Sequence, residues 1–147
     1  MTERLPDRIE TIDHVRAWDA AAERFETPCG AGHLAWRKWG SGPTVIFCHG
    51  GSGSWTHWCR TIPVVSKTHT VYAVDLPGLG DSAMPCDPSH PAGSAEALTQ
   101  GIRRLIPREE TPRIVAFSFG CHISTLALAG LGDYIRDVLI SGTSALG

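Results

Sequence analysis

The sequence runs to 147 residues, 42% hydrophobic and 19% charged, which excludes a disordered acidic tail, a collagen-like chain and a coiled coil. That length sets one domain as the expectation. A net charge of -2 supplies no basic surface, so nucleic acid is not an expected partner.

Residues 7–25 place Ile9, Ile12, Val15, Trp18, Ala22 and Phe25 three or four apart, with charges between them. This spacing predicts an amphipathic helix, and residues 1–25 are read as a helical segment ahead of a domain over 26–147. Acidic and basic residues mix on its polar face, so a membrane surface is not expected. No apolar run approaches the length of a spanning helix, and the first residues lack the apolar stretch of a secretory signal. Cysteines at 29, 48, 59, 86 and 121 are odd in number and irregular in spacing. They fit reduced thiols in a cytoplasmic protein. A zinc site from His57, Cys59 and Cys48 or His49 lacks a known ligand spacing, so no metal is expected.

After Pro28 the pattern turns to strands. His33–Trp39 reads as one strand, closed by the loop Gly40-Ser41-Gly42-Pro43. Thr44–Cys48 is wholly apolar after its threonine, as in a strand buried on both faces of a parallel sheet. A Gly-rich loop, His49-Gly50-Gly51-Ser52-Gly53, follows it. Residues 55–66 predict a short helix that Pro63 complicates. Thr70–Asp75, Arg113–Phe117 and Arg136–Ile140 read as further strands, and residues 93–106 and 119–130 as helices. The alternation predicts an α/β fold, a mostly parallel sheet with flanking helices. In such sheets sites form at the carboxyl ends of strands. Loops 49–53, 75–82 and 118–121 all fall there.

The sharpest chemical signal is Ala116-Phe117-Ser118-Phe119-Gly120, between a buried strand and a helix. It fits a nucleophile elbow with Ala in place of the first Gly. A serine held on such a turn presents its hydroxyl above the sheet, and the helix behind it aims free N–H groups at the site. The plain alternative is an ordinary serine at a strand–helix junction. The loop at 49–53 lets backbone N–H groups approach a ligand, and an oxyanion hole needs two such donors. Gly51 and Phe119 are the expected pair. His49 is expected to bond local backbone rather than to act as a base. In Asp75-Leu76-Pro77-Gly78-Leu79-Gly80-Asp81-Ser82, residues 78–83 match a dinucleotide fingerprint on paper. The prolines at 85 and 88 deny it the helix that fingerprint requires, so a nucleotide-binding reading ranks last. Asp75 and Asp81 are expected to shape this loop through backbone N–H groups.

Together, His49-Gly50-Gly51, then Asp75, Pro77, Gly78, Gly80 and Ser82, then Ser118 in its elbow, resemble the α/β-hydrolase superfamily in its serine-hydrolase group. The resemblance covers roughly residues 26–147. It implies a Ser118 nucleophile, a small-molecule substrate such as a carboxylic ester, and no cofactor. It also implies an acid and then a His after the nucleophile. Serine at this position argues against the haloalkane dehalogenases and epoxide hydrolases of the superfamily, which carry Asp there. Only 29 residues follow Ser118. Their sole histidine, His122, lies on the next helix, and Asp133 and Asp137 are expected at the wrong end of the sheet. The expectation is therefore an α/β-hydrolase fold truncated after its sixth strand. Such a chain is inactive alone and open to its missing C-terminal half, or to self-association, through a bare sheet edge. The alternative is a non-catalytic interaction module or degenerate half-domain with the hydrolase fold.

Overall fold

The computed structural model describes residues 4–142. Six strands form one sheet in the order β1-β2-β4-β3-β5-β6. They are β1 (Glu23–Cys29), β2 (Gly32–Trp39), β3 (Thr44–Cys48), β4 (Thr70–Val74), β5 (Arg113–Phe117) and β6 (Val138–Ser141). The β1–β2 hairpin is antiparallel, as is its junction with β4, while β3, β4, β5 and β6 run parallel. All five residues of β3 are buried, as its apolar run predicts for a central strand.

Helices cover the two faces unequally. On one face α3 (Pro91–Leu105) and α4 (Phe119–Leu131) pack over Leu34, Trp36, Ile46, Ile114 and Ala116. On the other, α1 (Ile12–Ala21) and α2 (Ile62–Val65) cover Trp39, Val45, Phe47, Val71 and Ala73. Each large side chain buried in these clusters contributes roughly 1.5–3 kcal/mol of transfer free energy. The second layer stops short of β6. There Val45, Phe47, Val65, Val115 and Leu139 line an open groove of about 380 Å³.

The helix expected over 7–25 is shorter than its apolar spacing suggests. Thr11 caps it, its side chain accepting the N–H of His14 at 3.2 Å, and Ala22 is already extended. Ile12 is solvent-exposed, and Phe25 belongs to β1, where its ring meets that of Tyr72. Seven rungs of pairing with β2 outweigh the helical spacing of these residues, so β1 runs through the expected boundary at 25/26. The helix expected at 55–66 divides into a 3₁₀ turn, Trp55–Trp58, and α2, with Pro63 in the first turn of α2 where its missing N–H costs nothing. Strand β6 lies slightly beyond the expected Arg136–Ile140. Residues 1–3 and 143–147, which belong to the expected segments 1–25 and 26–147, lie outside the described residues.

Candidate active site

The three motif loops converge at the carboxyl ends of β3, β4 and β5. Ser118 sits between β5 and α4 with φ 51° and ψ -114°, a left-handed conformation uncommon for a side-chain-bearing residue. Two hydrogen bonds and a buried neighbour frame it there. Its own N–H donates to the Ser141 carbonyl at 3.0 Å, its carbonyl accepts from Cys121 N–H at 2.9 Å, and Ala116 before it is fully buried. Among the described residues the Ser118 hydroxyl makes no hydrogen bond within the protein.

Gly51 faces the start of α4: a Cβ on Gly51 would stand 3.6 Å from Cβ of Phe119. Among the described residues, neither Gly51 N–H nor Phe119 N–H is given to an acceptor. Phe119 opens α4, where N–H groups lack intrahelical partners and the positive end of the helix lies. Beside these two groups lies a pocket of about 270 Å³. Gly51, Ser52, Pro77, Gly78, Leu79, Met84, Pro85, Pro88, Ser94 and Phe119 form its walls, and none of them is charged.

His49 is fully buried and works on backbone. Its Nε2 accepts the N–H of Leu76 at 2.9 Å and its Nδ1 lies 2.7 Å from the Gly50 carbonyl. Both contacts are satisfied together by the neutral ring with its proton on Nδ1, a tautomer inferred from the bonding. Burial holds its pKa below the ordinary histidine value. Gly50 N–H is likewise spent, donating to Nδ1 of His57 at 3.2 Å.

Asp75 organises the second loop, with only 1% of its surface exposed. One carboxylate oxygen accepts Trp55 N–H at 2.7 Å and the other accepts Asp81 N–H at 3.0 Å. Ser82 donates to the Asp75 carbonyl at 2.6 Å and accepts Ala35 N–H at 2.8 Å, which fastens the loop to β2. Gly80 has φ 53°, and a Cβ there would collide with the Asp75 carboxylate. Gly78 turns the chain, its N–H donating to the Ala83 carbonyl at 2.8 Å.

Sequence reasoning missed Arg37. Its guanidinium is 3% exposed and meets three carboxylates: Asp19 at 2.6 Å, Asp75 at 3.1 Å and Asp81 at 2.7 Å. Burial would lower its pKa, but the hydrogen bonds it donates to Asp19 and Asp81 and the charge of Asp75 more than reverse this, so it stays charged. The one sequence signal is a charge at the inward position two before Trp39; its partners lie 18, 38 and 44 residues away.

Of the remaining candidates, Asp133 and Asp137 lie apart from the site. His122 is exposed on α4. Asp133 pairs with Arg108 at 2.5 Å, and Asp137 pairs with Arg113 at the opening residue of β5, the far end of that strand from Ser118. Among the described residues no cluster of three His, Cys, Asp or Glu side chains is placed to hold a metal ion. No described helix is long and apolar enough to cross a membrane.

A family model described as "Alpha/beta hydrolase family" matches residues 45–147. The chain belongs to this family. An esterase of Mycobacterium tuberculosis is 39% identical over 113 residues, which cover 75% of this chain and 36% of the esterase. A soluble epoxide hydrolase of Corynebacterium is 46% identical over 46 residues, 31% of this chain and 16% of that enzyme. The crystal structure of a haloalkane dehalogenase of Bradyrhizobium elkani superposes with a TM-score of 0.73 at 22% identity, covering 83% of this chain and 42% of that one. This last likeness is one of fold. The chain thus spans about a third of the length of the esterase it matches.

Proposed function

We propose that this chain carries the nucleophile half of a serine hydrolase acting on a carboxylic ester with an uncharged, apolar acyl part. One observation carries the reading: Ser118 stands on a left-handed elbow beside a pocket edge where Gly51 and Phe119 both keep unspent N–H groups. In this reading the Ser118 hydroxyl attacks the ester carbonyl carbon as a histidine base takes its proton. The carbonyl oxygen becomes an oxyanion held by the Gly51 and Phe119 N–H groups, each worth roughly 3–4 kcal/mol in the transition state. Collapse expels the alcohol, which takes the proton, and water then releases the acid. The uncharged pocket wall supports an apolar acyl group.

The base and its orienting acid, in this proposal, come from polypeptide beyond these 147 residues, and the chain alone is inactive. His49 is committed to backbone, and Asp133 and Asp137 lie away from the site. Epoxide hydrolysis is the weaker reading, because Ser118 stands where the superfamily's epoxide hydrolases carry a carboxylate. The proposed partner is a small-molecule substrate rather than nucleic acid or a membrane. Five free cysteines suit a cytoplasmic setting.

The test is reaction with a fluorophosphonate, together with hydrolysis of nitrophenyl esters of increasing acyl length. Both are run on the 147-residue chain and on the product of the extended reading frame. Labelling and turnover in the extended product, lost in Ser118→Ala, support the reading. Absence of both in the extended product as well would replace it with a non-catalytic interaction module of hydrolase fold.

A further inference from the structure

Arg37 lies on β2, outside the loops that form the site, yet it bonds the 75–82 loop directly and reaches the Gly-rich loop through Asp75. Its Nη1 donates to Asp75 at 3.1 Å and its Nη2 to Asp81 at 2.7 Å. Asp75 in turn accepts Trp55 N–H, at the exit of the Gly-rich loop, and Asp81 N–H, in the turn behind the pocket wall. The guanidinium also lies 5.2 Å from the centre of the Trp55 ring. Its third donor, Nε, bonds Asp19 of α1 at 2.6 Å, and Arg24 shares that carboxylate at 2.7 Å. One buried cation therefore joins α1, β2 and the 75–82 loop at one point.

We propose that Arg37 is a positioning residue for the active site: through Asp75 and Asp81 it fixes the oxyanion loop against the pocket wall, and through Asp19 it anchors α1 to the same point. This deepens the hydrolase reading and rests on it. The physical reason is charge compensation. Asp75 is buried, and without Arg37 its carboxylate has no counter-charge within hydrogen-bonding distance among the described residues. A carboxylate in that condition gives up its enclosed geometry for water, and the two amides it holds are released with it. The planar fork of arginine is needed because three acceptors are bonded by three different nitrogens.

Backbone amide exchange, read by NMR on the 147-residue chain, tests this directly. In Arg37→Met the amides of Trp55 and Asp81 exchange at least about tenfold faster, while Ile46 and Ile114 in the sheet keep their rates. Arg37→Lys restores part of the protection, and Asp19→Asn gives a smaller loss at the same two amides. Equal acceleration in loops and sheet would mean a general structural pillar and would overturn the proposal, as would unchanged exchange at both loop amides. If Arg37→Met does not fold, Asp19→Asn and Asp81→Asn carry the same comparison. In a hydrolytically active extended form, the expected loss on Arg37→Lys falls on kcat with KM held; a loss in KM alone would also overturn it. The exchange measurement does not depend on ester hydrolysis. Failure of the hydrolase reading and failure of this one are therefore seen separately.

Discussion

Gly120 packs against the carbonyl oxygen of Cys48: a Cβ at 120 would stand closer than 3.0 Å to that oxygen and to the carbonyl of His49. The obstacles are backbone atoms of the loop that presents Gly51, so they cannot swing aside as a side chain would. Gly120→Ala is expected to cost about 1–3 kcal/mol of stability, the usual range for overpacking. It should also move the start of α4 away from the Gly-rich loop. Chemical denaturation reads the first effect. The fluorophosphonate labelling rate of an active extended form, expected to fall with it, reads the second.

Ser118 holds a backbone conformation that glycine adopts at little cost. Ser118→Gly is expected to raise stability by about 1 kcal/mol, a few degrees in Tm, because the relief of strain exceeds the entropy that glycine adds to the unfolded chain. Ser118→Ala keeps the Cβ and should leave Tm nearly unchanged. Both remove the hydroxyl and should abolish labelling. A Ser118→Gly variant less stable than Ser118→Ala would show that the elbow is not strained.

His49 gives the fold a pH dependence whose sign follows from its burial. Its pKa is lowered from 6.5 in the native state, so near and below that pH the unfolded chain binds a proton the native chain refuses. Its contribution to stability is present above pH 6.5 and is lost as pH falls from there through the lowered native value. Thermal unfolding at pH 7.5 and 5.5 should show a drop in Tm that is smaller in His49→Asn, whatever that variant's baseline.

Cys48 is buried at the end of β3, and burial pushes its thiol up to about 12. Cys86 is exposed in the loop after Ser82. At pH 8 a maleimide should label Cys86 rapidly and Cys48 only on unfolding. Rapid labelling of Cys48 in the native chain would contradict its packing between the sheet and α4.

Leu139 is 64% exposed and Ile140 46% exposed on the edge strand β6, beside the apolar groove that α2 leaves open. An apolar edge with unpaired backbone groups favours association. The 147-residue chain is expected to self-associate, and Leu139→Lys to weaken that by at least about tenfold in dissociation constant. Sedimentation velocity distinguishes this from a chain that is monomeric at all concentrations.

The elements legible in the sequence share a physical origin. The wholly apolar register of β3 and the Ala-x-Ser-x-Gly turn are local patterns, set by burial on two faces and by crowding at one tight bend. The order of the three motifs along the chain then carried the family resemblance. The N-terminal region is less legible because Phe25 closes the helical spacing of Val15, Trp18 and Ala22 and also opens the inward alternation Phe25, Thr27, Cys29 of β1. Pairing with β2 decides between them, and that pairing is a contact across the chain.

Sequence alone thus determined the α/β class, the parallel central strands and the position of Ser118 on its turn, since each follows from neighbours within a few residues. Tertiary structure decided the rest. It set Gly51 beside Phe119, committed His49 and Gly50 to backbone and ring acceptors, and drew Asp19, Asp75 and Asp81 around one buried Arg37. A buried charge takes whatever counter-charges the fold brings within hydrogen-bonding distance. No spacing along the chain encodes that distance.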